Sequence, residues 1–338
     1  MPMSAQLLLK AHQGLNQALR QLALGCGVKQ TLDSLIGLAE EITPEVRVSV
    51  LSYDSDSQTL STLSAPSLPK EYNNAIDGVA VGPTVGSCGK AAFFKQEVFT
   101  PDIYDDPNWE AFLPLAKMAG IRACWSLPVV SSRGNLLGTF ALYLDTPALP
   151  SEFDQEFMSL MSSVAAVAIE KDEVEKELYY AATHDSLTGV ANRHQFCARL
   201  DQLMAAAHRT GAPLALYFID INNFKRFNDN FGHSFGDRVL IKVAERLRSI
   251  SRDMDVVGRL GGDEFVLLCP LQQDTCSEAI HSRLMNELQH QLSVEQVDVV
   301  ASIGLALWEP AEDKSAEQLI AEADRQMYQN KQSLKRAG

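Results

Sequence analysis

The chain has 338 residues, 46% of them hydrophobic and 21% charged, with a formal net charge of −14. That length accommodates two ordinary domains, and the acidity argues against a broad nucleic-acid or anionic-membrane footprint. No apolar run reaches bilayer length, the first residues do not read as a signal peptide, and six scattered cysteines with no CxxC pair read as reduced thiols. The sequence therefore predicts a cytoplasmic protein with no membrane span and no nucleic-acid partner.

In chain order, Leu8, Ala11, Leu15, Leu19 and Leu22 have the spacing of an amphipathic helix, so residues 1–25 form an N-terminal helical element. An α/β segment follows to about residue 150. VRVSVLSYD (46–54) and TLSTLSA (59–65) alternate like paired strands, and GSCGKAAFFKQ (86–96) opens as a short helix after glycine. CWSLPVVSS and GNLLGTFALYL, joined by Arg133-Gly134-Asn135, make a hairpin.

Pro147 and Pro150 end this stretch, and Ser151 is an N-cap for a helix running to about 183. Phe157, Leu160, Val164, Val167, Lys171, Val174, Leu178 and Ala181 keep alternating three- and four-residue spacing, a coiled-coil seam with Lys171 as its polar intruder. The first half of this helix also fits an amphipathic helix packed on its own domain. From Lys171 to Glu177 the flanking residues are mostly charged, which favours a two-helix seam and hence a parallel homodimer.

Beyond His184, strands are expected at 214–220, in a pair across 255–269, and at 298–308. Helices alternate with them at 193–208, 234–250, 277–291 and 315–334, an order that gives a mixed sheet with helices packed against it. Within VGRLGGDEFVLLCP (257–270), Gly261 and Gly262 sit between apolar runs as a hairpin turn, both free to take positive φ. Lacking side chains, they let a phosphate approach the backbone. Asp263 and Glu264 add hard oxygen ligands suited to Mg²⁺. Taken alone, the same residues also fit an acidic surface turn.

Further blocks decide between these readings. HDSLTGVANRHQF (184–196), IDINNFKRFNDNFGHSFGDRVL (219–240), RLGGDEF (259–265), ASIGLAL (301–307) and ADRQMYQNK (323–331) stand in the order and spacing of the GGDEF domain, so residues 184–338 resemble a diguanylate cyclase catalytic domain. The resemblance implies a palm-like, nucleotide-cyclase-type α/β fold. It implies Mg²⁺ (or Mn²⁺) held by Asp220, the Ile221 carbonyl and Asp263 with Glu264 assisting, and catalysis at Gly261, Gly262, Asp263 and Glu264.

It also implies guanine recognition by Asn228 and Asp237, with Phe224, Lys225, Lys331 and Lys335 completing a GTP site. A carboxylate at 237 accepts from guanine N1–H and the exocyclic amine, and adenine has no N1 donor. Arg252 and Asp255, an R-x-x-D with five residues between Asp255 and Gly261, stand where the family places a product-inhibition site for cyclic di-GMP, with Arg283 as a third member. An arginine fork takes guanine O6 and N7 bidentately, though the default reading of such a pair is a surface ion pair.

Two positions depart from the family pattern. Asn222 replaces a common aspartate, and Leu334-Lys335 replaces a glycine–arginine pair. They leave open a catalytically weak receptor or scaffold that binds cyclic di-GMP through Arg252 and Asp255, and, more distantly, a cyclase for another purine.

Residues 26–170 resemble a GAF sensor domain, most clearly in GPTVGSCGKAAFFKQEVFTPDI and IRACWSLPVVSSRGNLLGTFALYL. The expected architecture is thus a two-domain α/β protein: an antiparallel-sheet GAF domain over 26–170, a coiled-coil linker over 171–183 and the cyclase domain over 184–338. The GAF resemblance implies an unidentified small-molecule ligand. Cys88, Cys124 and Trp125 are candidates to line its pocket, the cysteines reading first as small buried hydrophobes.

Overall fold

The computed structural model describes residues 5–271, 282, 284, 286, 288 and 292–337. The chain divides into two compact units, one up to Lys176 and one from Glu177 onward.

The first unit opens with helices α1 (Ala5–Ala23) and α2 (Val28–Ile42), the second of which was not singled out from sequence. Next come strands β1 (Val46–Asp54) and β2 (Thr59–Ser64), helix α3 (Lys70–Ile76), strand β3 (Val79–Ala80), helix α4 (Gly86–Phe94) and strand β4 (Val98–Thr100). After two 3₁₀ turns come helix α5 (Leu113–Ala119) and strands β5 (Ala123–Val130) and β6 (Leu136–Leu144). The six strands form one antiparallel sheet in the order β3-β2-β1-β6-β5-β4.

Alternation along β1 puts Val46, Val48 and Val50 on one face, against Leu32, Leu35, Ile36, Met158 and Met161. Leu51, Cys124, Ala141 and Tyr143 point to the other face, packed with Tyr72, Ile103 and Trp109. Both faces are covered, each by its own core.

Helix α6 (Glu152–Thr183) begins at a reciprocal cap. The Ser151 hydroxyl accepts from the Asp154 amide at 3.2 Å, while the Asp154 carboxylate accepts from the Ser151 amide at 2.8 Å. The expected seam divides along its length. Phe157 and Val164 are buried in the first unit's own core, whereas Leu160, Val167, Val174 and Leu178 are 45–64% exposed. Lys171 pairs with Glu175 at 2.5 Å and Lys176 with Asp172 at 2.7 Å along the same helix.

The second unit contains β7 (Ala191–Asn192), α7 (Arg193–Thr210), β8 (Leu214–Ile221), α8 (Phe224–Phe231), α9 (His233–Ile250), β9 (Val256–Gly261) and β10 (Glu264–Pro270). A two-stranded ribbon of β11 (Ser293–Val294) and β12 (Val297–Asp298) precedes β13 (Ala301–Trp308), and helix α10 (Ala316–Ala337) follows. The main sheet runs β13-β8-β10-β9-β7, antiparallel except for the β7–β9 pair. The ribbon and β7 were not foreseen, since two-residue strands carry no readable alternation. The helix expected at 277–291 falls largely outside the described residues.

Strand β8 is central and apolar on both faces. Ala215, Tyr217, Ile219 and Ile221 pack with Phe235, Val239 and Val243 of α9. Leu214, Leu216 and Phe218 pack with Phe196 and Leu200 of α7 and with Leu319, Ala323 and Met327 of α10. Such burial fixes the register of β8, and with it the polar residue near the strand's end.

Candidate functional site

That residue is Asp220. It lies opposite Glu264 on β10 and opposite Ser302 on β13, so three strands converge on it. The β9–β10 turn brings Asp263 alongside: the Ile221 amide donates to the Asp263 carbonyl at 3.3 Å. Gly262 makes the turn at φ +53°, and Gly261 at φ +149°, a conformation that residues with a Cβ rarely adopt. Arg259 clamps the turn, donating from Nε and Nη2 to the Gly262 carbonyl at 3.0 and 2.7 Å, while its Nη1 reaches Asp185 at 2.9 Å.

The two acids of the turn are half-buried, and both are harder to ionise than ordinary carboxylates. Burial raises Asp263 first, and the neighbouring Asp220 charge raises it further. Burial likewise leads for Glu264, followed by Asp324, with Arg193 opposing. Lys331 of α10 pairs with Asp220, and the preceding Asn330 ties that helix to the sheet by donating to the Ile303 carbonyl at 2.8 Å.

Asp220 and Asp263 lie close enough at the end of adjacent strands for the charge of one to act on the other, and both present carboxylate oxygens. Such a pair fits a hard divalent cation that takes its remaining ligands from phosphate and water. Among the described residues no three acidic, histidine or cysteine side chains close into a complete cage. Asn222, which stands in place of a common aspartate, accepts through its side-chain oxygen from the Ser302 hydroxyl at 2.8 Å.

Asn228 and Asp237 stand on consecutive helices, α8 and α9, that meet at Gly232. Gly232 caps both helices, its amide donating to the Asn228 carbonyl at 2.9 Å. A Cβ on Gly236 would lie 2.0 Å from Asn228 Oδ1, so the glycine is what seats the Asn228 side chain over the start of α9. Asp237 is exposed next to it, Lys225 is exposed on the first turn of α8, and Phe224 is half-buried against the core. Lys335 lies on α10.

Arg252 and Asp255 share a turn, with the Asp255 carboxylate accepting from the Arg252 amide at 2.8 Å. They line a hollow of about 410 Å³ with Arg199, Arg248, Asp253, His184 and Gln195, a wall of mixed charge. Arg283 lies outside the described residues.

The sequence reading missed Asp185, Arg193, Arg259 and Asp324. Asp185 had a local signal: an aspartate three residues before a threonine is a turn former, and its carboxylate accepts from the Thr188 amide at 2.9 Å and hydroxyl at 2.6 Å. Arg193 donates to the Leu260 carbonyl at 3.0 Å. No spacing rule joins it to a strand 67 residues away.

In the first unit, Cys88 lines a small cavity and Cys124 is buried nearby. Neither Cys124 nor Trp125 is among the residues that line that cavity. As the next residue on β5, Trp125 faces the opposite core, donating from its indole to the Ala148 carbonyl at 3.0 Å. The alternation of side chains along a strand puts it on the face opposite Cys124, which packs in the other core.

Residues 182–337 match the family model described as diguanylate cyclase, GGDEF domain, and residues 27–170 match that of the GAF domain. The chain is similar to diguanylate cyclase DgcP of Escherichia coli strain K12, 28% identical over 334 residues that span 94% of this chain and 95% of that protein. It is 34% identical to diguanylate cyclase DgcS of Shewanella oneidensis over 199 residues, 58% of this chain and 64% of that one. It spans only 28% of the bifunctional diguanylate cyclase/cyclic di-GMP phosphodiesterase MucR of Pseudomonas aeruginosa, at 35% identity over 58% of this chain. Among solved structures, the coiled coil and GGDEF domain of DgcB from Caulobacter crescentus, in complex with c-di-GMP, is similar at 28% identity, covering 52% of this chain and 95% of that one with a TM-score of 0.44.

Proposed function

Because the chain belongs to the GGDEF family of diguanylate cyclases and carries a GAF domain ahead of that domain, we propose that it condenses two GTP into cyclic di-GMP and two pyrophosphates. The observation that carries this reading is the meeting of Asp220 and Asp263 at the end of adjacent strands, with Lys331 across from them. Repelling carboxylates held together in a folded core are poised for cationic and phosphate ligands.

In this reading Asp220, the Ile221 carbonyl and Asp263, with Glu264 beside them, hold Mg²⁺ or Mn²⁺. When bound, the cation offsets charge that develops on the phosphoryl oxygens. Asn228 and Asp237 read the guanine edge, with Phe224 supporting α8 from the core. Lys225, Lys331 and Lys335 bind the triphosphate as point charges, and the side-chain-free turn at Gly261 and Gly262 admits the phosphates against the backbone. Asp263, at the turn beside the phosphate site, also takes up the 3′-hydroxyl proton.

The product has two equivalent 3′–5′ linkages. Two loaded domains therefore face each other, each 3′-hydroxyl attacking the α-phosphate of the opposite GTP and expelling pyrophosphate. The active species is a homodimer, supported by the exposed apolar repeat on α6. Arg252 and Asp255, with Arg283, bind cyclic di-GMP as product inhibitor; Arg252→Ala should leave the initial rate intact and remove the later slowing. Among the described residues no helix is long and apolar enough to cross a membrane, and the proposed setting is the cytoplasm. A small ligand of the GAF domain modulates the output.

The direct test incubates the dimeric, product-stripped full chain with GTP and Mg²⁺ and assays cyclic di-GMP and pyrophosphate. Absence of both products overturns the cyclase reading in favour of a cyclic di-GMP receptor. Asp263→Asn should abolish turnover while retaining product binding at Arg252.

A further inference from the structure

The loop between the end of α6 and β7 is shared by three parts of the second unit. At its start the Tyr180 ring of α6 stacks on His184, with centroids 4.1 Å apart and planes 6° from parallel. Within it the Asp185 amide donates to the Val190 carbonyl and the Gly189 amide to the Asp185 carbonyl, both at 2.8 Å, so the loop closes on itself. On its far side the Asp185 carboxylate accepts from Arg259, whose other donors hold the Gly262 carbonyl.

A side chain from another helix holds the same loop. Arg248, in the last turn of α9, donates from Nη2 to the Gly189 carbonyl. Gly189 has φ +66°, and a Cβ there would meet the Tyr180 hydroxyl at 3.0 Å and the Arg248 guanidinium at 3.1 Å. Backbone shape and close packing both call for glycine at this point, where α6, α9 and the loop meet.

Arg248 also lines the hollow that contains Arg252 and Asp255, as do His184, Gly189 and Val190. The residues that wall the hollow are thus the ones that steady Asp185. Arg259 is not on that wall and is linked to it through the loop. A guanidinium gains more from phosphate oxygens than from a backbone carbonyl, because the partner carries a full charge and the fork engages two oxygens at once. An anionic ligand seated in the hollow therefore competes with Gly189 for Arg248.

We propose that Arg248 is shared between the ligand of this hollow and the Gly189 carbonyl, so that a phosphodiester bound there is registered at the Gly261–Glu264 turn. As Arg248 turns to the phosphate, Gly189 loses its donor, Asp185 is held less firmly and the Arg259 clamp on the turn loosens. The inference rests on the reading of the hollow as the cyclic di-GMP product site. It adds a route, inside one domain, from bound product to the turn that carries Asp263.

The test follows amide exchange in the full chain with and without cyclic di-GMP, alongside binding by calorimetry. Saturating cyclic di-GMP should speed exchange across residues 259–264 roughly fivefold, as for loss of one charge-assisted hydrogen bond from a local network. Arg248→Ala should show the faster exchange without ligand, respond no further to cyclic di-GMP and bind it roughly tenfold more weakly. Arg248→Lys, which keeps the charge without the fork, should recover part of the affinity. Exchange that is unchanged or slower on binding, or full affinity in Arg248→Ala, overturns the proposal and leaves the product site standing. Cyclic di-GMP binding that Arg252→Ala does not weaken removes the product-site reading and the proposal with it. The ligand-dependent exchange is read on the unsubstituted protein, so a variant that folds poorly does not decide the outcome.

Discussion

Arg259 joins Asp185 to the turn that carries Asp263: one guanidinium bonds the Asp185 carboxylate at 2.9 Å and the Gly262 carbonyl at 2.7 and 3.0 Å. A turn built on two glycines has little intrinsic preference for one shape, so the clamp supplies what the backbone lacks. Arg259→Ala should raise amide exchange across residues 257–266 by about tenfold to a hundredfold, as for loss of hydrogen bonds to a charged group. Hydrogen–deuterium exchange on the full chain reads this directly, and unchanged protection would show the clamp to be incidental.

The same contact sets an acid limit. Burial raises the Asp185 carboxyl, but the Thr188 hydroxyl, Arg259 and the Thr188 amide together outweigh it and leave it below its ordinary value. A carboxylate lowered by folding stabilises the fold fully above its unfolded pKa of about 3.9, and that contribution is lost as pH falls through the lower folded value. Protection of the turn should hold steady from about pH 7 to about pH 5 and decline below about pH 4. Asp185→Asn should start lower at neutral pH and lack this part of the decline.

Gly236→Ala is expected to separate recognition from stability. Its methyl would occupy the place of Asn228 Oδ1, while alanine is the better helix residue by about 1 kcal/mol. The KM for GTP should rise by roughly tenfold, with kcat changed far less and thermal stability not reduced. Steady-state pyrophosphate release paired with a melting curve checks both halves.

Lys331→Met removes the cation that faces Asp220. Turnover should fall on the order of a hundredfold through lost phosphate stabilisation. The protein without nucleotide should also be less stable, because Asp220 is left facing Asp263 alone. A variant with full activity would remove Lys331 from the site.

Val174→Glu with Leu178→Glu places like charges on the exposed stripe of α6. These positions are 46% and 64% exposed, so the fold should persist. Sedimentation should show a monomer at concentrations where the unsubstituted chain is dimeric, and cyclic di-GMP production should fall with it.

Sequence legibility followed how local each signal was. The long strands and the α6 cap were readable because alternation and a Ser-x-x-Asp cap are short-range patterns, visible in Leu214–Ile221 and in Ser151 with Asp154. The seam was half readable: its spacing was visible, but burial of Phe157 and Val164 in their own domain depends on a sheet whose strands are drawn from Val46 to Leu144. Arg193 on Leu260, and Arg259 between Asp185 and Gly262, join residues far apart in the chain and leave no spacing to read. Trp125 was misplaced because a strand's two faces differ by one residue, and composition does not say which faces the pocket.

The nucleotide site is assembled from parts of unequal firmness. Asp220 stands on β8, whose strand neighbours pair on both edges and whose apolar side chains are buried on both faces. Asn228 stands on α8, a helix with no buried residue. Local opening is inexpensive at α8 and approaches the cost of global unfolding at β8. If the proposed site holds a nucleotide, its phosphate end is thus an anvil and its purine end a latch, and release would start at the base.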